Sequence, residues 1–112
     1  MAQKINVRMN ADQLAALIGI YELRVREDID DKVYGLRELH AQELWARLRI
    51  LQLKCSLQRS ITVGLRLIEA KAFLDYWELD DRPLNAYTAN VVRMVLERAN
   101  KAVSDMRPYM HC

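Results

Sequence analysis

Apolar and polar residues alternate at the start of the chain, where Ile5, Val7 and Met9 are interleaved with Lys4, Asn6 and Arg8. A period of two over about five residues predicts an extended segment, residues 1–9 forming an N-terminal arm. The period then changes. Asn10 is placed to cap a helix, with Gln13 at the reciprocal capping-box position. Leu14, Leu17, Ile18, Tyr21 and Val25 fall on one face of a first helix expected over 11–27. The acidic run Glu27–Asp31 is expected to end it, with Asp28 or Asp30 capping the next helix and Gly35 as a second candidate for the break.

The second helix carries apolar residues on two opposed sides. At about 100° per residue, Leu48, Leu51 and Cys55 lie within about 40° of Leu44, whereas Ala46, Ile50, Leu53 and Leu57 cluster roughly 180–240° away. A strand would put the adjacent Ile50 and Leu51 on opposite faces. The segment from Ser60 to Leu79 reads the same way, as a third helix with a turn before it and Ser56 or Ser60 as cap. Ile61, Leu65, Ile68, Ala72 and Leu79 form one stripe of it, and Val63, Leu67, Ala70, Leu74 and Trp77 the other. The residues around Pro83 predict a loop, since proline disfavours helix at Arg82. A fourth helix, about 85–106, has a single broad stripe that includes Val91, Val92, Val95 and Ala99, and 107–112 reads as a tail.

These elements predict one mainly α-helical domain over 1–112. Its expected form is a four-helix up-down bundle with a central two-faced helical hairpin and a short N-terminal extended segment. Opposed stripes on the two central helices suit a layer covered by the other helices on one side and by a partner subunit on the other. The expected interface of a two-fold dimer is Ala46, Ile50, Leu53, Leu57, Val63, Leu67, Leu74 and Trp77. The alternative is a compact monomer in which the first and fourth helices wrap the hairpin. No internal sequence repeat is evident.

Composition sharpens this picture only in places. With 52% hydrophobic and 29% charged residues, 3 Gly and 2 Pro, the 112-residue chain reads as globular and helix-rich. No signal peptide and no uncharged stretch of membrane-spanning length is visible, so the expectation is a soluble, cytoplasmic protein without membrane association. A net charge of +2 does not by itself imply nucleic acid. The layout is more telling, because no acid occurs between Leu44 and Ile68, where Arg47, Arg49, Lys54, Arg59 and Arg66 all lie. Acids gather instead at 27–31 and 75–81, which alternating helices would bring to one end of the bundle.

Candidate chemistry is sparse. His40 and Cys55 stand about 22 Å apart on one helix at 1.5 Å per residue, too far to share a metal ion. His40 and Glu43 are not repeated on a second helix as a carboxylate-bridged metal pair would require. No phosphate loop or nucleophile elbow is present, so no catalytic residue, metal, cofactor or small-molecule substrate is expected.

One resemblance adds to this reading. The stretch KINVRMNADQLAALIGIYELR is similar to the opening of ribbon–helix–helix DNA-binding proteins, in which a short strand precedes the first helix. In that family two strands pair across a dimer and their outward side chains read the major groove. The resemblance covers about 20 residues and implies that Lys4, Asn6 and Arg8 face DNA while Ile5, Val7 and Met9 face the core. The long two-faced helices depart from the family's short second helix. The leading expectation is therefore a small non-enzymatic interaction or structural protein acting as a homodimer. The alternative is a DNA-binding accessory or regulatory protein using Lys4, Asn6, Arg8 and Arg59.

Overall fold

A computed structural model describes residues 4–32, 35–55, 57–78 and 83–110. The protein is mainly helical, at 76% helix, with four helices and a small two-stranded sheet among these residues. The order is β1 (Lys4–Met9), α1 (Ala11–Asp30), α2 (Leu36–Lys54), β2 (Ile61–Arg66), α3 (Leu67–Glu78) and α4 (Ala86–Met110). No described helix is long and apolar enough to cross a membrane.

The first strand and the first helix start form where the pattern places them. Gln13 N–H donates to Asn10 Oδ1 at 2.8 Å, and Asn10 N–H donates to Gln13 Oε1 at 2.9 Å, which satisfies two donors at the exposed helix end. Beyond this point the helix outruns the expectation: α1 continues through Asp30, so Asp28 and Asp30 lie within it and do not cap α2. The chain leaves through Lys32, whose φ of 58° is the left-handed turn that commonly ends a helix. Gly35 is the N-cap of α2, making it the true break.

The larger correction concerns residues 61–66. They form an antiparallel strand paired with β1, with Lys4 opposite Arg66, Asn6 opposite Gly64 and Met9 opposite Ile61. The expected third helix therefore begins at Leu67, and α2 and α3 are not a simple helical hairpin. The physical reason is the segment's own period. Ile61, Val63 and Leu65 alternate with Thr62, Gly64 and Arg66, and burial follows that alternation. A helix would split those three apolar residues between two faces and carry Gly64 in its interior at a cost of about 1 kcal/mol. Pairing with β1 puts all six inward residues of the two strands into the core.

The order strand–helix–helix thus occurs twice, although the halves share no evident sequence repeat. Leu14, Leu17 and Tyr21 are the fourth, seventh and eleventh residues of α1; Ala70, Phe73 and Trp77 hold the same places in α3, and all six are buried. Ala41, Leu44 and Leu48 on α2 have the same spacing as Val92, Val95 and Ala99 on α4. Helix α1 packs against α2 and α4, and α3 packs against the same two. Helix α4 runs through Met110, so part of the expected tail is helical. Its N-terminus is capped by Asn85, whose Oδ1 accepts from Thr88 N–H at 2.8 Å.

An aromatic cluster joins the two halves. The Tyr21 ring lies 5.6–5.9 Å from those of Phe73, Tyr76 and Trp77, and Trp77 Nε1–H donates to the Tyr21 hydroxyl at 2.9 Å. Tyr76 donates to Asp28 at 3.4 Å, which ties α3 to the C-terminal part of α1, while Asp80 and Asp81 of the second acidic run lie outside the described residues. Burial raises the Tyr21 hydroxyl pKa well above its ordinary value, against a smaller lowering by the Trp77 hydrogen bond.

Replacing Tyr21 with Phe leaves the Trp77 N–H buried without its acceptor, and urea unfolding at neutral pH should show a loss of about 1–3 kcal/mol. A second test uses pH. The folded state keeps Tyr21 protonated, whereas the unfolded chain releases that proton from about pH 10. The unfolded state then binds fewer protons, so Tyr21's contribution is complete below that pH and is lost as pH rises through it. Wild-type stability should therefore fall more steeply than that of the Tyr21→Phe variant between about pH 9 and 11.

Candidate nucleic-acid interface

The β1–β2 ribbon separates its residues cleanly by parity. Ile5, Val7, Met9, Ile61, Val63 and Leu65 are buried against the helices, while Asn6, Arg8, Thr62 and Arg66 are exposed on the other face with Gly64 between them. Lys4 shares their register parity opposite Arg66. No acidic residue occupies either strand. The outer face is thus a short surface offering amide, hydroxyl and guanidinium groups and no carboxylate of its own.

Its cations differ in freedom. Arg66 bonds through Nε to Glu69 Oε1 at 3.3 Å, while its backbone N–H donates to the same oxygen at 2.8 Å at the entry to α3. Glu69 also forms an ion pair with Arg47 of α2. Arg8 has no carboxylate within ion-pair distance among the described residues, so its charge is directed at solvent.

Two further arginines hold the ribbon's edges. Arg98 of α4 donates to the Asn6 carbonyl at 3.2 Å, and Arg47 donates to the Gly64 carbonyl at 2.9 Å. Asn6 and Gly64 face each other in the register, so one clamp grips each strand. The two arginines are themselves counterparts, each immediately preceding the last buried residue of its spacing series, Leu48 or Ala99. An isolated pair of strands is marginal in water, and its free edges invite pairing with other chains. The clamps oppose both tendencies while leaving the outer face uncovered.

The expected contact residues are brought together in part. Asn6 and Arg8 share the outer face, and Arg59 is exposed in the turn that leads into β2. Thr62, Gly64 and Arg66 complete the surface and were missed, because they depend on β2 being a strand. Their signal was the period of two with β-branched Ile61, Thr62 and Val63 at its start.

The expected dimer surface divides. Val63 and Trp77 are 4% and 8% exposed inside the chain's own core, and Leu67 and Leu74 are half-buried against it, which removes the first two from any partner surface. Ala46, Ile50, Leu53 and Leu57 are all exposed. On the other face of α2, Leu44 and Leu48 are buried and Leu51 and Cys55 half-buried, so this helix has one core face and one outer apolar face. Groups of three His, Cys, Asp or Glu able to hold a metal are absent among the described residues. An open groove of about 410 Å³ runs between α2 and β2, with Arg47, Lys54, Thr62 and Gly64 among its lining residues.

No protein-family model, curated protein or solved structure compared with this chain matches it.

Removing the guanidinium of Arg98 frees the Asn6 carbonyl at an exposed edge. Arg98→Ala should cost about 1 kcal/mol or less in global stability. It should speed amide exchange in β1 more than in α1, measured residue by residue by hydrogen exchange.

Proposed function

We propose that the protein is a non-enzymatic DNA-binding accessory or regulatory protein that reads duplex DNA with the outer face of its β1–β2 ribbon. The observation that carries the reading is the paired register that sets Asn6, Arg8, Thr62 and Arg66 on one exposed face backed by a continuous apolar core. A two-stranded ribbon fits the major groove, about 12 Å wide, and side chains of these types match what base edges present there. Arginine can donate in bidentate fashion to guanine, asparagine can pair with adenine, and threonine can serve either through its hydroxyl or its methyl.

The resemblance to ribbon–helix–helix proteins points the same way and gains a second half. In that family two strands pair across a dimer; here a single chain supplies both strands, each followed by two helices. The four helices are read as a bundle standing under the ribbon, holding it as a rigid projection. Arg59 at the approach to β2 and the register position of Lys4 opposite Arg66 place further charge at the ribbon's ends, where phosphates would lie. Two arginine-bearing strands that differ in sequence imply an asymmetric site.

The test is fluorescence anisotropy with a randomised duplex pool at several salt concentrations, followed by selection of bound sequences. Binding should weaken as salt rises, with a slope of about −0.9 per phosphate neutralised. Arg8→Ala should weaken binding to a selected site by about 1–3 kcal/mol, whereas Arg59→Ala should weaken all sequences nearly equally and lower the salt slope. Absence of binding to the pool at 50 mM salt would overturn the reading.

A further inference from the structure

Helix α2 has an apolar stripe that the chain itself leaves uncovered. Leu36 is 73% exposed, Ile50 53% and Leu53 76%, with Leu39 also exposed; Leu57, just past the helix end, is exposed almost completely. These side chains stand on the face opposite buried Ala41, Leu44 and Leu48. Steps of three and four residues lead from Leu36 through Leu39, Glu43, Ala46 and Ile50 to Leu53, which is the seam of a two-helix coiled coil. The seam is roughly 26 Å long at 1.5 Å per residue. Only Glu43 and Ala46, near its middle, interrupt the large apolar residues.

The charges beside this seam select its occupant. The N-terminal half carries an exposed carboxylate, Glu43, and the C-terminal half carries the exposed Arg49 and Lys54, while Arg47 is already held by Glu69 and the Gly64 carbonyl. Arg37 in the first turn is already paired with Glu38 at 3.1 Å. A second copy laid antiparallel sets the acidic half of each helix beside the basic half of the other and opposes the two helix dipoles. A parallel copy would set Arg49 and Lys54 of each helix against the same two cations of the other, which is destabilising at such flanking positions.

We propose that two copies of this chain associate through an antiparallel pairing of α2, about a two-fold axis near the Glu43–Ala46 level. Leu36 then packs on Leu53 of the partner subunit and Leu39 on Ile50 of the partner subunit. The small Ala46 leaves room for the partner's Glu43. Because the seam is its own complement, the assembly closes at two copies. The proposal rests on α2 alone and stands apart from the ribbon's action on DNA. If both hold, each dimer carries two ribbons.

Sedimentation velocity over a dilution series is the test. The wild-type chain should sediment at twice 13.1 kDa, and Ile50→Glu combined with Leu53→Glu should sediment at 13.1 kDa. Both changes are on exposed residues, so circular dichroism of the variant should match the wild type and exclude misfolding. A monomeric wild type at 100 µM, or a variant that remains dimeric, overturns the proposal. Orientation is read with both native cysteines replaced by serine. Chains carrying Leu39→Cys and chains carrying Ile50→Cys should form a mixed disulfide with each other, and neither should cross-link with itself. Self-cross-linking of either chain would instead show a parallel pair and overturn the antiparallel assignment. A monomeric chain that still binds DNA would fail this proposal alone.

Discussion

The antiparallel pairing of β1 with β2 is the constraint on which the rest of the molecule depends. It joins the beginning of the chain to its middle and fixes which face of each strand enters the core. A slip of one residue would turn Ile5, Val7 and Met9 outward and bury Asn6 and Arg8. Two strands alone could not hold that register. It is held from below by the apolar residues of four helices and from the sides by Arg47 and Arg98, each bonded to a carbonyl that the ladder leaves free. The closure then lets α1 and α3 meet through Tyr21, Phe73, Tyr76 and Trp77, far along the chain from the strands themselves.

The same arrangement explains how the outer face of the ribbon comes to be polar and positively charged. The strands carry no carboxylate. Glu69 is drawn to the ribbon's flank, where it holds Arg47 and Arg66 and closes the start of α3. Arg8 is left facing solvent. Backbone register sets which residues share the outer face of the ribbon.

The sequence makes parts of this legible for clear physical reasons. The first strand stands out because its alternation is short, uninterrupted and bounded at once by a capping box. The stripe of α4 stands out because only one of its faces is buried. The second strand is hidden by its direct continuation into α3. Apolar residues at 61, 63, 65 and 67 satisfy a period of two and, with Ile68, also feed two helical stripes, and the helix begins immediately after Arg66 without a glycine or proline to mark the change. That ambiguity concealed half of the candidate site. It also placed Val63 and Trp77 on an outer surface when both belong to the core. The outer stripe of α2 was legible throughout, since two opposed apolar faces on one helix cannot both meet the same core. The break before α2 was legible in part, since Gly35 was one of its candidates and caps the helix, whereas the left-handed turn at Lys32 is made by a residue type that does not announce one.

The most direct measurement of the central claim is a set of nuclear Overhauser contacts across the ribbon. Because Asn6 and Gly64 direct their carbonyls outward to Arg98 and Arg47, they form a pair without mutual hydrogen bonds, the type in which facing Cα atoms approach most closely. Strong Hα–Hα contacts are therefore predicted between Asn6 and Gly64 and between Arg8 and Thr62. They should arise within one chain, and so be absent from an isotope-filtered spectrum of mixed labelled and unlabelled protein. Helical chemical shifts over 61–66, or the same contacts appearing only between chains, would contradict the intramolecular ribbon.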